Sequence, residues 1–492
     1  MTILANSRLL FAAILLFGLL AMTARPATDP DIWWHLRTGQ WIVDTGHIPR
    51  TDPFSFTRQG SPWVSHEWLS DFIFYGLWKL AGPPALIIFS SIVTAAGFLL
   101  LYWRCPGEPY IAAALTALGA WASAPCWGTR PQMFTFLLAS LFLWLIERSD
   151  DRPRLLLWIP LLFLFWVNLH AGFALGPALI FLFATGLALE AATGISPWST
   201  VRPAVLRLVA AILVCLALVP LNPNGTTLYR YPLDTLRSSG IRKLIVEWFS
   251  PNFHQWLYTP LLLVIVLLLV TVAWSRSPLR ARVLLPLVAM CLAALDAVRH
   301  IPIFILVAIP VIAGAFPSAL RTSQLLPNRP GEPRLRQWFN AVAIVMLALF
   351  ALVRWTTLSL RQNALVLAQF PDQAVMFLRT SRQPPRLFAY YDWGGYAIWN
   401  LYPRYLVFVD GRSDLYGDKF LEEAMQTVTL DKGWHAILDD WNVDTVLIPP
   451  TAALAQGLAL DSRWTAAYRD SQAVVFLRNG SRAQVLSQTL GY

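Results

Sequence analysis

Apolar runs of about 18 residues recur from residue 9 to residue 354 of this chain, and they restrict its fold more than any other feature. A hydrocarbon core about 30 Å thick takes roughly 20 helical residues to cross. Inside lipid every backbone N–H and C=O must be satisfied within the structure, so runs of this length are expected as helices. The reading is an all-α polytopic membrane bundle with spans near residues 9–22, 83–103, 109–125, 132–147, 155–170, 172–190, 204–221, 257–274, 282–298, 301–317 and 338–354, eleven transmembrane helices in all. The first run also has the outline of a secretory signal, with Arg8 before it and small residues after it. The many spans that follow, and an acidic motif a few residues beyond, favour a retained helix.

Charge gives the orientation. Charged residues make up 13% of the chain, about half of what soluble domains carry. A net charge of +10 would suggest a nucleic-acid partner in a soluble protein. Here the cations sit in short loops between apolar runs, so topology accounts for them and no nucleic acid is expected. With the N-terminus inside, alternate loops hold Arg104; Arg148, Arg152 and Arg154; Arg202; Arg276, Arg280 and Arg282; and Arg321, Arg329, Arg334 and Arg336. That is a positive-inside pattern. Residues 25–82, 222–256 and 355–492 then fall outside a bacterial inner membrane. The division expected is a transmembrane domain over 1–354, with 25–82 as its first outer loop, and a small C-terminal extracytoplasmic α/β domain over 355–492. The four cysteines are scattered singly and form neither a disulfide framework nor a metal-ligand spacing.

Polar residues unusual for a membrane protein gather at the expected outer ends. They are Asp29 and Asp31 after the first span, His66 and Glu67 before the second, Arg130 and Gln132 opening the fourth, and Asn168 and His170 closing the fifth. Asn222 and Asn224 follow the seventh, Glu247 and His254 precede the eighth, and Arg299 and His300 stand between the ninth and tenth. Ionisable groups at membrane depth are costly and line sites or cavities. A set drawn from separate helices but confined to one side points to one external pocket. A transporter or flippase would place such groups at the midplane, on broken helices and in repeated halves, and no halves repeat here. A non-catalytic scaffold or sensor has no need of acids, histidines and arginines from six segments.

In the first outer loop, Trp33, Trp34, Leu36, Trp41 and Ile42 mark an interfacial amphipathic segment. A turn-rich stretch follows, and Trp68 to Leu77 form a second such segment. The second segment brings His66 and Glu67 back toward Asp31. This arrangement resembles the GT-C superfamily of membrane glycosyltransferases, which use polyprenyl-phosphate-linked sugars, of the protein O-mannosyltransferase and aminoarabinose transferase type. The resemblance implies an acidic catalytic position at Asp31, with Asp29 as rival. Where many relatives carry His-Pro-Pro or Lys-Pro-Pro, this chain reads Ser65-His66-Glu67-Trp68, and the Asp-Glu doublet of the mannosyltransferases is absent. The identities of lipid and acceptor (lipid, glycan or protein) are therefore not carried over.

Inverting transfer from a lipid phosphate needs a carboxylate to take the acceptor's proton. Asp31 is the first candidate, with Glu67 second and His66 beside it. The leaving phosphate calls for cations, for which arginine forks are suited; Arg130, Arg299 and His300 are the candidates. His170 and Asn168 are candidate substrate-binding residues. A divalent cation held by Asp31, Glu67 and a histidine is a further chemistry open to these residues. A polymerase or ligase acting on a lipid-diphosphate glycan would use the same groups.

Beyond residue 355 the pattern turns to short α/β elements. Strands are expected over 386–391, 405–410, 443–449 and 473–477, and helices over 419–430, 432–441 and 451–460. The segment Asp410-Gly411-Arg412-Ser413-Asp414 follows a buried-looking strand, a favoured place for binding residues. Asp410 and Arg412 are therefore expected to hold the acceptor, facing Asp31.

Overall fold

The computed structural model describes residues 6–275, 278–315, 333–381 and 383–480. Arg276, Arg321 and Arg329, and the side chains of Arg334 and Arg336, lie outside the described residues. The chain forms two compact units. The first comprises Met1–Pro26, Pro84–Pro232 and Ile245–Leu360; the second comprises Ala27–Pro83, Leu233–Leu244 and Arg361–Tyr492.

The first unit is a helical bundle. Six helices among the described residues are long and apolar enough to cross a membrane: Pro83–Arg104, Ala171–Ala192, Trp198–Leu221, Trp256–Trp274, Val298–Ala315 and Gln337–Gln369. The protein is thus a multi-pass membrane protein. The remaining expected spans are helices too, but shorter. Ser7–Thr23 and Gln132–Arg148 have 17 residues, Ala281–Asp296 has 16, Pro109–Ser123 has 15, and Pro153–Leu169 is likewise short. At 1.5 Å per residue a 17-residue helix spans about 25 Å, so the count of eleven full crossings is not reached by length. Large apolar side chains such as Leu213, Leu269 and Phe350 are exposed, as lipid-facing helices require. Polar groups inside are satisfied locally. Ser140 donates to the Gly97 carbonyl at 2.9 Å, the Arg104 fork holds Glu147, and Arg282 donates to fully buried Glu190. The last long helix continues to Gln369, well past the boundary expected at 354.

The second unit is built on a five-stranded sheet of order β2-β1-β3-β5-β4, with β1 Arg386–Ala389, β2 Leu406–Val407, β3 Thr445–Ile448, β4 Trp464–Arg469 and β5 Val474–Arg478. β1 pairs parallel with β2 and β3, and β5 pairs antiparallel with β3 and β4. All four residues of β3 are buried, as expected of a strand covered on both faces. Phe388, Phe408, Tyr416, Phe420, Trp464 and Phe476 belong to the core beside it. The turn-rich stretch of the first outer loop joins this sheet. Ser55 bridges Val407, whose N–H donates to the Phe54 carbonyl and whose carbonyl accepts from Phe56 N–H. Two helices flank it in sequence, α1 Ile32–Thr45 and α2 Trp68–Ala81. They cross closely: a Cβ at Gly39 would sit 2.1 Å from the Asp71 carbonyl oxygen. Two further helices complete the frame, α3 Asp372–Ser381 and α4 Gly394–Leu401.

Candidate functional site

Asp31 stands at the N-cap of α1, where an aspartate ordinarily accepts from the first free N–H groups. It does not do so here. Its backbone is already helical (φ −76°, ψ −24°) and its side chain makes no capping bond. Asp29 serves the turn instead, accepting from the Asp31 N–H at 3.0 Å. The Asp31 carboxylate accepts from the Trp34 indole N–H at 3.2 Å and lies against Gly411, where a Cβ would come within 1.9 Å of Asp31 Oδ1. Asp29 and Asp31 are both half-buried.

One turn along α1 is His35, a residue that reasoning from the sequence passed over, and its ring lies 3.6 Å from that of Trp34. His35 Nδ1 is 2.6 Å from Asp71 Oδ1, and its Nε2 is 3.8 Å from Glu67 Oε2. Glu67 Oε1 in turn is 3.1 Å from His66 Nε2. His66 Nδ1 faces the Val64 carbonyl at 3.1 Å, and a carbonyl only accepts, so that nitrogen carries a proton. A chain of polar contacts therefore runs from Asp71 through His35 and Glu67 to His66. All four residues are buried. Burial works against charge on His66, but the Glu67 carboxylate raises its pKa above the ordinary histidine value. Burial, with the Glu67 charge second, pushes the Asp71 carboxyl well above the carboxylate range. The signal in the sequence was the i, i+4 spacing of Asp31/His35 and of Glu67/Asp71, which sets each pair on one helix face.

Asp410 and Arg412 are at 0% and 1% exposure. Arg412 donates through Nε and Nη2 to Asp410 at 2.8 and 2.7 Å and through Nη1 to Asp52 at 2.7 Å, while Tyr416 donates its hydroxyl to Asp410 at 2.6 Å. These groups are engaged by protein, so acceptor contact is not the role their geometry suits. What reaches Asp31 from this segment is the Gly411 backbone.

In the bundle unit, Glu247 lies between two arginines, with Arg130 Nη1 at 2.6 Å and Arg299 Nη1 at 3.2 Å. Gln132 donates to the same carboxylate at 3.3 Å, and the Arg299 guanidinium lies 4.4 Å from the centre of the Trp248 ring. Burial opposes the Glu247 charge, yet the two guanidinium groups hold its pKa below the usual value. The cluster carries one net positive charge and leaves Arg130 and Arg299 half-buried. His300 Nδ1 donates to the Ala293 carbonyl at 3.2 Å. His170 Nδ1 accepts from Gly172 N–H at 3.0 Å and from the Thr135 hydroxyl at 2.7 Å, whose oxygen accepts from the Trp166 indole. Nε2 is therefore the protonated nitrogen of neutral His170. Asn168 donates back to the Leu164 carbonyl at 2.8 Å, bracing its own helix end.

The divalent cation considered from the sequence finds no donor set. Among the described residues no group of three or more His, Cys, Asp or Glu is placed to hold a metal ion, and His35 and His66 have turned their nitrogens to carboxylates and a carbonyl.

The fold is similar to that of solved oligosaccharyltransferases. The apo oligosaccharyltransferase of Archaeoglobus fulgidus superposes with a TM-score of 0.53 at 12% identity, covering 89% of this chain and 69% of that one. The oligosaccharyltransferase AglB of Archaeoglobus fulgidus, solved with an inhibitory peptide and a dolichol-phosphate, gives 0.50 at 11% identity with the same coverage. ArnT from Cupriavidus metallidurans, solved with undecaprenyl phosphate, covers 96% of this chain and 98% of its own at 12% identity and a TM-score of 0.49. At these identities the likeness is one of fold. No family profile and no curated protein matches the chain in sequence.

Proposed function

We propose that this protein is a membrane glycosyltransferase that moves a sugar from a polyprenyl-phosphate lipid to a lipid, glycan or protein acceptor of the cell envelope, on the outer side of the membrane. The acceptor heteroatom attacks the anomeric carbon, the bond from that carbon to the phosphate oxygen breaks, and the lipid phosphate leaves with the electron pair. Asp31 takes the acceptor's proton, and a single displacement inverts the anomeric centre. The observation that carries the reading is the Asp31 carboxylate, which stands half-buried at the start of α1 without capping it and accepts from the Trp34 indole N–H at 3.2 Å.

His35, Glu67 and His66 act as positioning and proton-sharing residues behind it, with Asp71 fixing the His35 ring. Arg412, donating to both Asp410 and Asp52, holds Gly411 against the carboxylate. Arg130 and Arg299 supply the planar cations for the lipid phosphate. With Glu247 shared between them the pair keeps one net positive charge, which matches the single negative charge of a lipid-phosphate-sugar diester and favours the second charge that develops as the phosphate leaves. His170 adds an N–H donor on the bundle through Nε2, while the His300 Nδ1–H is used on the Ala293 carbonyl.

The test is mass spectrometry of envelope glycans and lipid-linked sugars in cells lacking the protein. The expected result is accumulation of one polyprenyl-phosphate sugar together with loss of one glycan modification. Unchanged levels of both overturn the proposal.

A further inference from the structure

The second unit contains an open pocket of about 520 Å³ that shares no residue with Asp31 or with the chain from Asp71 to His66. That volume falls within the range of roughly 300–1,000 Å³ typical of small-molecule sites. Its wall comes from four helices: Arg37 and Gln40 of α1, Tyr75, Trp78 and Lys79 of α2, Arg379 of α3, and Trp399 and Asn400 of α4. Among the described residues no carboxylate lines it, so the wall carries positive charge from three side chains.

The groups are arranged for recognition. Arg37 is fixed by donating to the Gln40 side chain at 2.8 Å and to the Tyr402 carbonyl at 2.5 Å, with its guanidinium 4.9 Å from the centre of the Tyr402 ring. Arg379 is steered by a bond to the Asn400 carbonyl at 3.3 Å, while Lys79 is exposed. The Trp78 and Trp399 rings meet edge to face at 5.6 Å, which presents two indole surfaces at a large angle to each other. Planar amides from Gln40 and Asn400 complete the set. Flat aromatic faces suit the C–H faces of pyranose rings, amides suit hydroxyl groups, and cations suit an acid. A purely lipidic ligand would not use the amides, and a neutral sugar would not use three cations.

We infer that this cavity is a binding site for an anionic saccharide, a sugar or short oligosaccharide bearing a carboxylate or a phosphate. The site binds without turnover, so its test is independent of the transfer reaction. If the transfer reading also holds, the acceptor, or a glycan attached to it, is acidic.

Isothermal titration calorimetry on the full-length protein in detergent tests this with tri-galacturonate and glucose 1-phosphate as acidic probes and maltotriose as the neutral one. At least one acidic probe should bind more tightly than maltotriose and lose affinity as salt is raised. The double variant Lys79→Ala, Arg379→Ala removes two charged hydrogen-bond donors and should weaken acidic binding at least about tenfold. Both residues are exposed, and an unchanged melting temperature verifies that the variant is folded. Trp399→Ala should weaken all sugars that bind, and Asp31→Asn should bind as wild type even though it is expected to be inactive. The inference is overturned if no acidic probe binds, or if the double variant binds as wild type. It is also overturned if only phosphatidylglycerol nanodiscs show binding that the double variant loses, which would make the cavity a lipid-headgroup site.

Discussion

Gly411→Ala separates catalysis from folding at one position. The added Cβ would lie 1.9 Å from Asp31 Oδ1 and 3.2 Å from Trp34 Nε1, and real Cβ contacts essentially never fall under 3.0 Å. The carboxylate must therefore retreat by about 1 Å. It is the free end of a short side chain, so the retreat costs little stability. Gly411 does not adopt a positive φ, and a Gly→Ala change at a compatible backbone returns about 0.4–1 kcal/mol by restricting the unfolded chain. The melting temperature should stay near that of wild type. Catalysis is less forgiving, because a misplacement of about 1 Å at a reacting group costs on the order of 100-fold. The assay is release of polyprenyl phosphate, with glycan formation read by mass spectrometry, in cells complemented with each form at matched membrane levels. A 100-fold loss at unchanged melting temperature is the expected result. Activity within about twofold of wild type would show that the position of the Asp31 carboxylate does not matter. A large fall in melting temperature would show that the backbone, and not the carboxylate, gives way.

Other perturbations follow from the same geometry. Arg412→Ala leaves Asp410 and Asp52 buried without their cation, and breaking such a cluster costs about 3–5 kcal/mol; a sharp drop in melting temperature is expected, and a near-wild-type melt would contradict the burial. His66 and Asp71 both have raised folded-state pKa values, so both bind protons more tightly folded than unfolded. The contribution of His66 is fully present below its unfolded pKa near 6.5 and is lost as pH rises through its folded value. Ionising Asp71 becomes a growing penalty above its unfolded pKa. Stability should therefore fall as pH rises above about 4 through Asp71 and above about 6.5 through His66, and Asp71→Asn or His66→Gln should flatten the corresponding part of that slope; an unchanged slope in both variants refutes the assignment. Arg299→Lys keeps the charge but loses the planar fork over Trp248 and on Glu247, so turnover of lipid donor should fall about tenfold or more. Normal turnover would reduce Arg130 and Arg299 to interfacial anchors.

The helical bundle was legible because span length is written into consecutive residues. Asp31, His66 and Glu67 stood out as candidates because they flank apolar runs. His35 and Asp71 were missed although each lies one helical turn from a residue already singled out. A histidine within Trp33-Trp34-His35-Leu36 and an aspartate within Trp68-Leu69-Ser70-Asp71 look like ordinary interfacial polarity until the two helices cross at Gly39. The Asp52–Arg412 pair joins residues 360 positions apart, and no local pattern encodes such a contact. For the same reason the first outer loop could not be seen to share a compact unit with the C-terminal sheet. Strand β4 was overlooked because only the first residue of its sequence, Trp-Thr-Ala-Ala-Tyr-Arg, is buried, so no apolar run or alternation marks it.

Asp31→Asn tests the central claim most directly. Asparagine keeps the size of the side chain and an oxygen that can accept from Trp34, but it cannot take up the acceptor's proton. Mass spectrometry of envelope glycans in complemented cells should show the modification absent, with the lipid-linked sugar accumulated as in the deletion and with membrane insertion and melting temperature unchanged. An Asn variant that restores the glycan would contradict the assignment of Asp31 as the base.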